Sequence, residues 1–217
     1  MTDFAFRRKM MVDTQVRPSD VTKFPIIDAM LRIPREEFVP DAMVEAAYVG
    51  ENLTLQDQRV LLEPRTLAKM IDALAITSDD LVLDIGCGTG YSAAVLNRLA
   101  QAVVAIEEDE TLHAAAEAAL ATTGAETVVL HHAPLVGGAP THAPYDVIML
   151  QGGIETFPEA LVGQLRPGGR AAALFMEGAL GVARLGIRTG DHMIWRDIFN
   201  AAAPVLPGFE KAQAFSL

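Results

Sequence analysis

The chain has 217 residues, 51% of them hydrophobic and 6% aromatic, with a formal net charge of −11. That length suits one domain with a sizeable core and a small accessory segment. The acidic balance argues against nucleic acid as the default partner, since phosphate binding shows as a basic face, and it disfavours anionic membrane surfaces. The single cysteine, Cys87, excludes an internal disulfide framework and suits a reducing compartment. The opening "MTDFAFRRKMMVD" carries charges throughout and does not read as a secretory signal. The most apolar stretch, Ala171 to Ile187, is interrupted by Glu177 and Arg184 and is too short for a membrane span. The expectation is a soluble, cytoplasmic protein.

Two regimes follow one another along the chain. Up to about residue 60 the pattern is helical and irregular. "FPIIDAMLRI" (Phe24 to Ile33) has apolar residues at helical spacing, and Pro34 ends it. "PREEFVPDAMVEAAYVG" reads as a loop and a short helix. Pro64 then opens a helix whose buried stripe is Leu67, Met70, Ile71 and Leu74. From residue 81 the period changes. "LVLDI" precedes a helix from Tyr91 to Ala100, and "AVVAIE" precedes one from Asp109 to Ala121. "TVVLHH" and "YDVIML" come next, then a helix around Pro158 to Leu165, then "GGRAAALF". Strands alternating with helices predict a parallel sheet covered on both faces and doubly wound by right-handed crossovers. The last part, "GVARLGIRTGDHMIWRDIF", predicts an antiparallel hairpin at the sheet edge, turning at Thr189-Gly190-Asp191.

The stretch "VLDIGCGTGYSAAVL" places Gly86, Gly88 and Gly90 between the first strand of this region and its helix. Open α/β sheets bind ligands there, outside the carboxyl ends of their strands. A phosphate-binding P-loop needs a lysine after the glycines, and none follows. A dinucleotide fingerprint needs glycine at the position of Tyr91. S-adenosylmethionine suits the loop, because this nucleoside with a zwitterionic tail has no pyrophosphate to neutralise. Asp84 lies at the strand end, near enough to hold the loop or the tail's ammonium. Glu107 ends the next strand, 23 residues later, where a carboxylate can accept both ribose hydroxyls. Glu108 and Asp109 follow it. The histidines make no metal pattern: His131 and His132 are adjacent and point to opposite faces, and His113, His142 and His192 are isolated.

The run "VLDIGCGTGYSAAVLNRLA…VVAIEED" resembles the core of class I S-adenosylmethionine-dependent methyltransferases, and "LVGQLRPGGR" resembles a late element of the same group. More narrowly, "MVDTQVRP", "IIDAMLRIPREEFVP", "GTGYSAAVL", "APYDVIML" and "FPEALVGQLRPGG" resemble the protein-L-isoaspartate O-methyltransferase family, from about Met10 to Gly169. The resemblance implies a seven-stranded mixed, Rossmann-like sheet with an N-terminal helical cap. Residues 1–63 would form the cap and substrate loop, and 64–217 a continuous methyltransferase core. The expected cofactor-binding set is Asp84, Gly86, Gly88, Gly90, Tyr91, Glu107 and Glu108, with no metal. The implied activity is carboxyl methylation of isoaspartyl residues in damaged proteins or peptides. The family's substrate-loop serine aligns with Leu62 in "VLLEP", so Leu62 and its neighbour Glu63 are the substrate-loop candidates. Pro134, in "HHAPLVGG", stands where the family carries an acidic residue on the adenine side, and "QGGIE" (Gln151 to Glu155) replaces a run of small residues. The alternatives are a small-molecule methyl acceptor, or a non-catalytic S-adenosylmethionine-binding protein.

Overall fold

The computed structural model describes residues 3–211. Positions 1–2 and 212–217 of the expected division lie outside the described residues. The chain begins with a helical cap. Helix α1 (Phe4–Met11) is capped by Asp3, whose carboxylate accepts from the Phe6 amide. It runs on through a π turn (Val12–Val16) and a 3-10 turn (Arg17–Ser19). Helix α2 (Phe24–Arg32) has Pro25 in its first turn and stops at an extended Ile33, as the residue before Pro34 must. Its stripe of Ile26, Ile27, Ala29 and Met30 is buried. The predicted loop and short helix after Pro34 are two 3-10 segments, Arg35–Phe38 and Asp41–Ala46.

Strands β1 (Leu53–Gln56) and β2 (Arg59–Leu61) then pair antiparallel, in a region expected to be irregular. Helix α3 (Pro64–Leu74) buries Leu67, Met70, Ile71 and Leu74 as its spacing predicts. The alternating region follows as β3 (Leu81–Ile85), α4 (Tyr91–Asn97), β4 (Ala102–Glu107), α5 (Glu110–Thr122), β5 (Val129–His132) and β6 (Tyr145–Ile154). Helix α6 (Glu159–Gln164) and strands β7 (Leu165–Glu177), β8 (Leu180–Thr189) and β9 (His192–Asn200) complete it.

The seven strands lie in the order β5-β4-β3-β6-β7-β8-β9. The first five in that order pair parallel. β8 and β9 are antiparallel, so the sheet is mixed and the expected edge hairpin is present. Chain direction across the sheet reverses at β3, between β4 and β6, which creates the crevice where ligands bind in such sheets. Side chains alternate across β3. Val82 joins a core cluster with Met30 and Phe38 of the cap, Met70 of α3 and Val95 of α4. Leu83 and Ile85 join the opposite cluster with Ile148, Leu161 and Phe209. The cap therefore shares one core with the sheet. After β9 the chain returns over the strand ends: the Gly153 amide donates to Pro204 O (2.8 Å) and the Leu206 amide to Gly153 O (2.8 Å). Among the described residues no helix is long and apolar enough to cross a membrane.

Candidate cofactor and substrate site

The crevice is built first from backbone. Gly86, Gly88 and Gly90 have φ of +72°, +59° and +94°, in the left-handed region that glycine takes freely. The Gly86 and Cys87 amides both donate to Ile106 O on β4, at 2.9 and 3.1 Å, which pins the loop beside the end of that strand. Gly90 then opens α4.

Two fully buried carboxylates flank this loop. Asp84 accepts from Ser92 Oγ (2.6 Å) and from Gln151 Nε2 (2.6 Å). Burial pushes its carboxyl up to about 7; the two hydrogen bonds oppose the rise and the charge of Glu107 adds to it. The changed "QGG" stretch thus contributes directly, since Gln151 holds Asp84. Gly152 has no room for a side chain, because a Cβ there would lie 2.6 Å from Leu206.

Glu107 meets a partner that sequence reading did not supply. Its Oε1 accepts from Arg59 Nη1 (2.5 Å) and from the amides of Glu108 and Asp109 (3.0 Å each). Its Oε2 accepts from Arg59 Nη2 (2.5 Å) and from the Gly88 amide (2.8 Å). Arg59 comes from β2, and its neighbour Leu55 on β1 also reaches the loop: a Cβ on Gly88 would lie 2.8 Å from Leu55 Cδ1. The hairpin therefore covers Gly86 and Gly88, while Gly90 faces Ala116 and Leu120 of α5. A second tie joins it to the site, from Gln56 Nε2 to Asp109 Oδ2 (2.8 Å). Beside the hairpin lies a cavity of about 590 Å³, lined among others by Arg59, Glu108, Asp109, His132, Pro134 and Pro207.

The remaining expected residues fall in three places. Glu108 lines the cavity, with Oε2 accepting from the Leu135 amide (3.2 Å). Tyr91 does not join it. Its ring is fully buried under the cap, 5.6 Å edge-on from Phe38 and 4.8 Å from the Arg35 guanidinium. Leu62 is 1% exposed and belongs to the cap-side core. Its carbonyl accepts from Arg35 Nη2 (2.9 Å), and Arg35 Nε donates to Ala47 O (2.7 Å). Glu63 precedes α3 and accepts from Thr66 Oγ1 (2.6 Å), with Arg65 at 3.5 Å. It is a helix-terminal carboxylate. Cys87 is buried, and burial pushes its thiol up, away from nucleophilic use.

The histidines are less isolated than their spacing suggests. His131 Nε2 lies 2.8 Å from His142 Nε2, and the rings of His113 and His132 are 5.3 Å apart. No group of three or more metal-type side chains forms a site among the described residues.

Comparison with known proteins places these features in a lineage. The family model described as protein-L-isoaspartate(D-aspartate) O-methyltransferase (PCMT) matches residues 7–176. A protein-L-isoaspartate O-methyltransferase of Methylorubrum extorquens is 42% identical over 168 residues, covering 77% of this chain and 73% of that protein. One from Rhodopseudomonas palustris is 38% identical over 160 residues, covering 74% and 73%. A solved protein-L-isoaspartate O-methyltransferase superposes with a TM-score of 0.83 at 25% identity, covering 93% of this chain and 66% of that one. A Plasmodium falciparum structure, described as a putative member in complex with S-adenosyl-L-homocysteine, shares the fold at a TM-score of 0.79 and 13% identity, covering 95% of this chain and 99% of that one. The match over residues 7–176 takes in most of the cap, the hairpin, the glycine loop and both buried carboxylates, and this chain belongs to the protein-L-isoaspartate O-methyltransferase family.

Proposed function

We propose that this chain transfers the methyl group of S-adenosylmethionine to the carboxylate of isoaspartyl residues in proteins. The family match across residues 7–176 carries the reading. The relatives do not favour the small-molecule or non-catalytic alternatives.

The donor set suits the cofactor. Asp84 and Glu107 are fully buried carboxylates on either side of a loop whose three glycines take left-handed backbone and carry no side chain that would stand between a ligand and the backbone. Asp84, ionised, would hold an ammonium group. Glu107 would accept from a ribose diol, and Glu108 with Pro134 would border the base. When bound, S-adenosylmethionine supplies an electrophilic sulfonium methyl group. The acceptor carboxylate is already ionised at neutral pH, so no side chain has to take a proton from it. The chain's contribution is to orient the acceptor and to exclude water. Residues before 64 serve here as cap and substrate loop, and the rest as the transferring core. The loop segment near Leu62 shapes the acceptor side through its backbone, which Arg35 fixes.

The test is methyl transfer from labelled S-adenosylmethionine to an isoaspartyl peptide, with the aspartyl isomer as control. Incorporation into the isoaspartyl peptide alone is expected. Equal labelling of both, or of neither, would overturn the assignment.

A further inference from the structure

Glu107 has more donors than it can accommodate alongside a ligand. A carboxylate offers about four lone-pair sites, and Arg59 with three backbone amides already fills them. The amides of Gly88, Glu108 and Asp109 are fixed by the glycine loop and by the end of β4. Only the guanidinium can leave. Arg59 reaches its place from a hairpin of two short strands, of a kind that is only marginally stable without support. The hairpin's tip, Asp57-Gln58, is exposed, and Gln58 takes a φ of +56° there. Its base is held elsewhere: Asn52 accepts from the Glu63 amide (2.8 Å) and donates to Ala202 O (2.9 Å). Leu53 and Leu61 are buried in the cap-side core and keep the strand ends seated, while among the described residues the tip's side-chain hydrogen bonds to the site run to Glu107 and Asp109, and Leu55 sits over Gly88.

We infer that Arg59 is an internal competitor for the cofactor's ribose, so that S-adenosylmethionine binds this chain by displacing the Arg59 guanidinium from Glu107 and lifting the hairpin tip, residues 55–59, off the glycine loop. This rests on the cofactor reading above. The hairpin swings about the base that Asn52 holds, and Leu62 stays in the core. The cavity beside the hairpin receives the first part of the ligand, and the exchange at Glu107 completes binding. No bond other than hydrogen bonds is made or broken: two N–H donors leave the carboxylate and two O–H donors replace them. Breaking a buried ion pair opposes ligand binding, and part of the ligand's affinity is consumed by it. Arg59 is thus a positioning residue that weakens cofactor affinity and makes it conditional on hairpin opening.

Two measurements on the full chain test this, with S-adenosylhomocysteine as the probe. The first is calorimetric affinity for the wild type, Arg59→Gln and Gln56→Ala. Arg59→Gln removes the competing charge and is expected to bind about tenfold more tightly or better, the equivalent of about 1.4 kcal/mol. Gln56→Ala cuts only the exposed tie to Asp109 and is expected to gain a few-fold. It keeps the test decisive should Arg59→Gln fail to fold with Glu107 unpaired. The second is amide hydrogen exchange. Ligand is expected to raise exchange at Leu55–Gln58 in the wild type while slowing it in the glycine loop. Unchanged or weaker affinity in both variants, with the hairpin more protected when ligand is bound, would overturn the competition and leave the cofactor reading intact. Absence of binding by folded wild type and variants alike would overturn the cofactor reading, and the competition with it.

Discussion

Asp84 is an acid buried beside another acid, and its carboxyl is pushed up to about 7 chiefly by desolvation. The unfolded chain gives up that proton near the ordinary aspartate value of 3.8. Between those values the folded state holds more protons than the unfolded one, so this group's contribution to stability is full at low pH and declines as pH rises toward 7. Asp84→Asn keeps the shape and removes the titration. Its stability relative to the wild type should climb from pH 5 to pH 8, by at most about 1.4 kcal/mol per unit below the folded value. Urea denaturation across that range checks it, and parallel curves would refute it. On the proposal that Asp84 receives the cofactor's ammonium, it must be ionised in the complex, so binding below about pH 7 should release a proton, which calorimetry in buffers of different ionisation heat will read. Leu62 makes a second residue-level case. Restoring the family's serine there places a hydroxyl in the core, where the side chain is almost wholly buried. Leu62→Ser should cost about 3 kcal/mol of stability and bring no gain in isoaspartyl turnover. A faster enzyme would show that this side chain faces the substrate.

At the scale of elements, one arginine joins three of them. Arg35, in the 3-10 turn after α2, binds Ala47 O and Leu62 O and lies on the ring of Tyr91 at the start of α4. Burial lowers its pKa, and Tyr91 opposes that shift. A lysine cannot reproduce a planar fork that meets two carbonyls and a ring face, so Arg35→Lys should lose roughly 2 kcal/mol in chemical denaturation. A loss within about 0.5 kcal/mol would mean that the cap and loop hold without it. The elements themselves were largely legible in the sequence. β3, β4 and β6 read as strands because they are continuous apolar runs, and α3 because Leu67, Met70, Ile71 and Leu74 repeat at helical spacing. The β1–β2 hairpin was not. Its strands are four and three residues long, and its turn, Asp57-Gln58, lacks the glycine that usually announces one. A partial alternation of Leu53, Leu55, Val60 and Leu61 was the available signal. Of the candidate site, the placing together of the glycines and carboxylates was legible because they sit at fixed places on local strand–loop–helix units. Arg59 was not, because it meets Glu107 from 48 positions away through a hairpin that only the tertiary fold places.

The whole molecule carries 28 acidic against 17 basic side chains. Asp57, Glu108 and Asp109 bring part of that excess to the rim of the cavity beside the hairpin. An isoaspartyl acceptor presents a further negative charge, so its approach is opposed by the field of the protein and depends on what flanks it in its own chain. Fields of this kind change association rates by tenfold or more, and they act over a screening length set by salt. Two isoaspartyl peptides of equal length, one flanked by lysines and one by aspartates, should therefore differ in kcat/KM by roughly tenfold at low ionic strength, with the lysine peptide faster. The ratio should fall toward one near 1 M salt, where the screening length is only about 3 Å. The acidic peptide should gain from added salt while the basic one loses. A preference that survives high salt would locate the discrimination in direct contacts within the site. A preference for the acidic peptide would mean that local cations, with Arg59 freed from Glu107 the nearest candidate, outweigh the −11 charge of the chain at the point of contact.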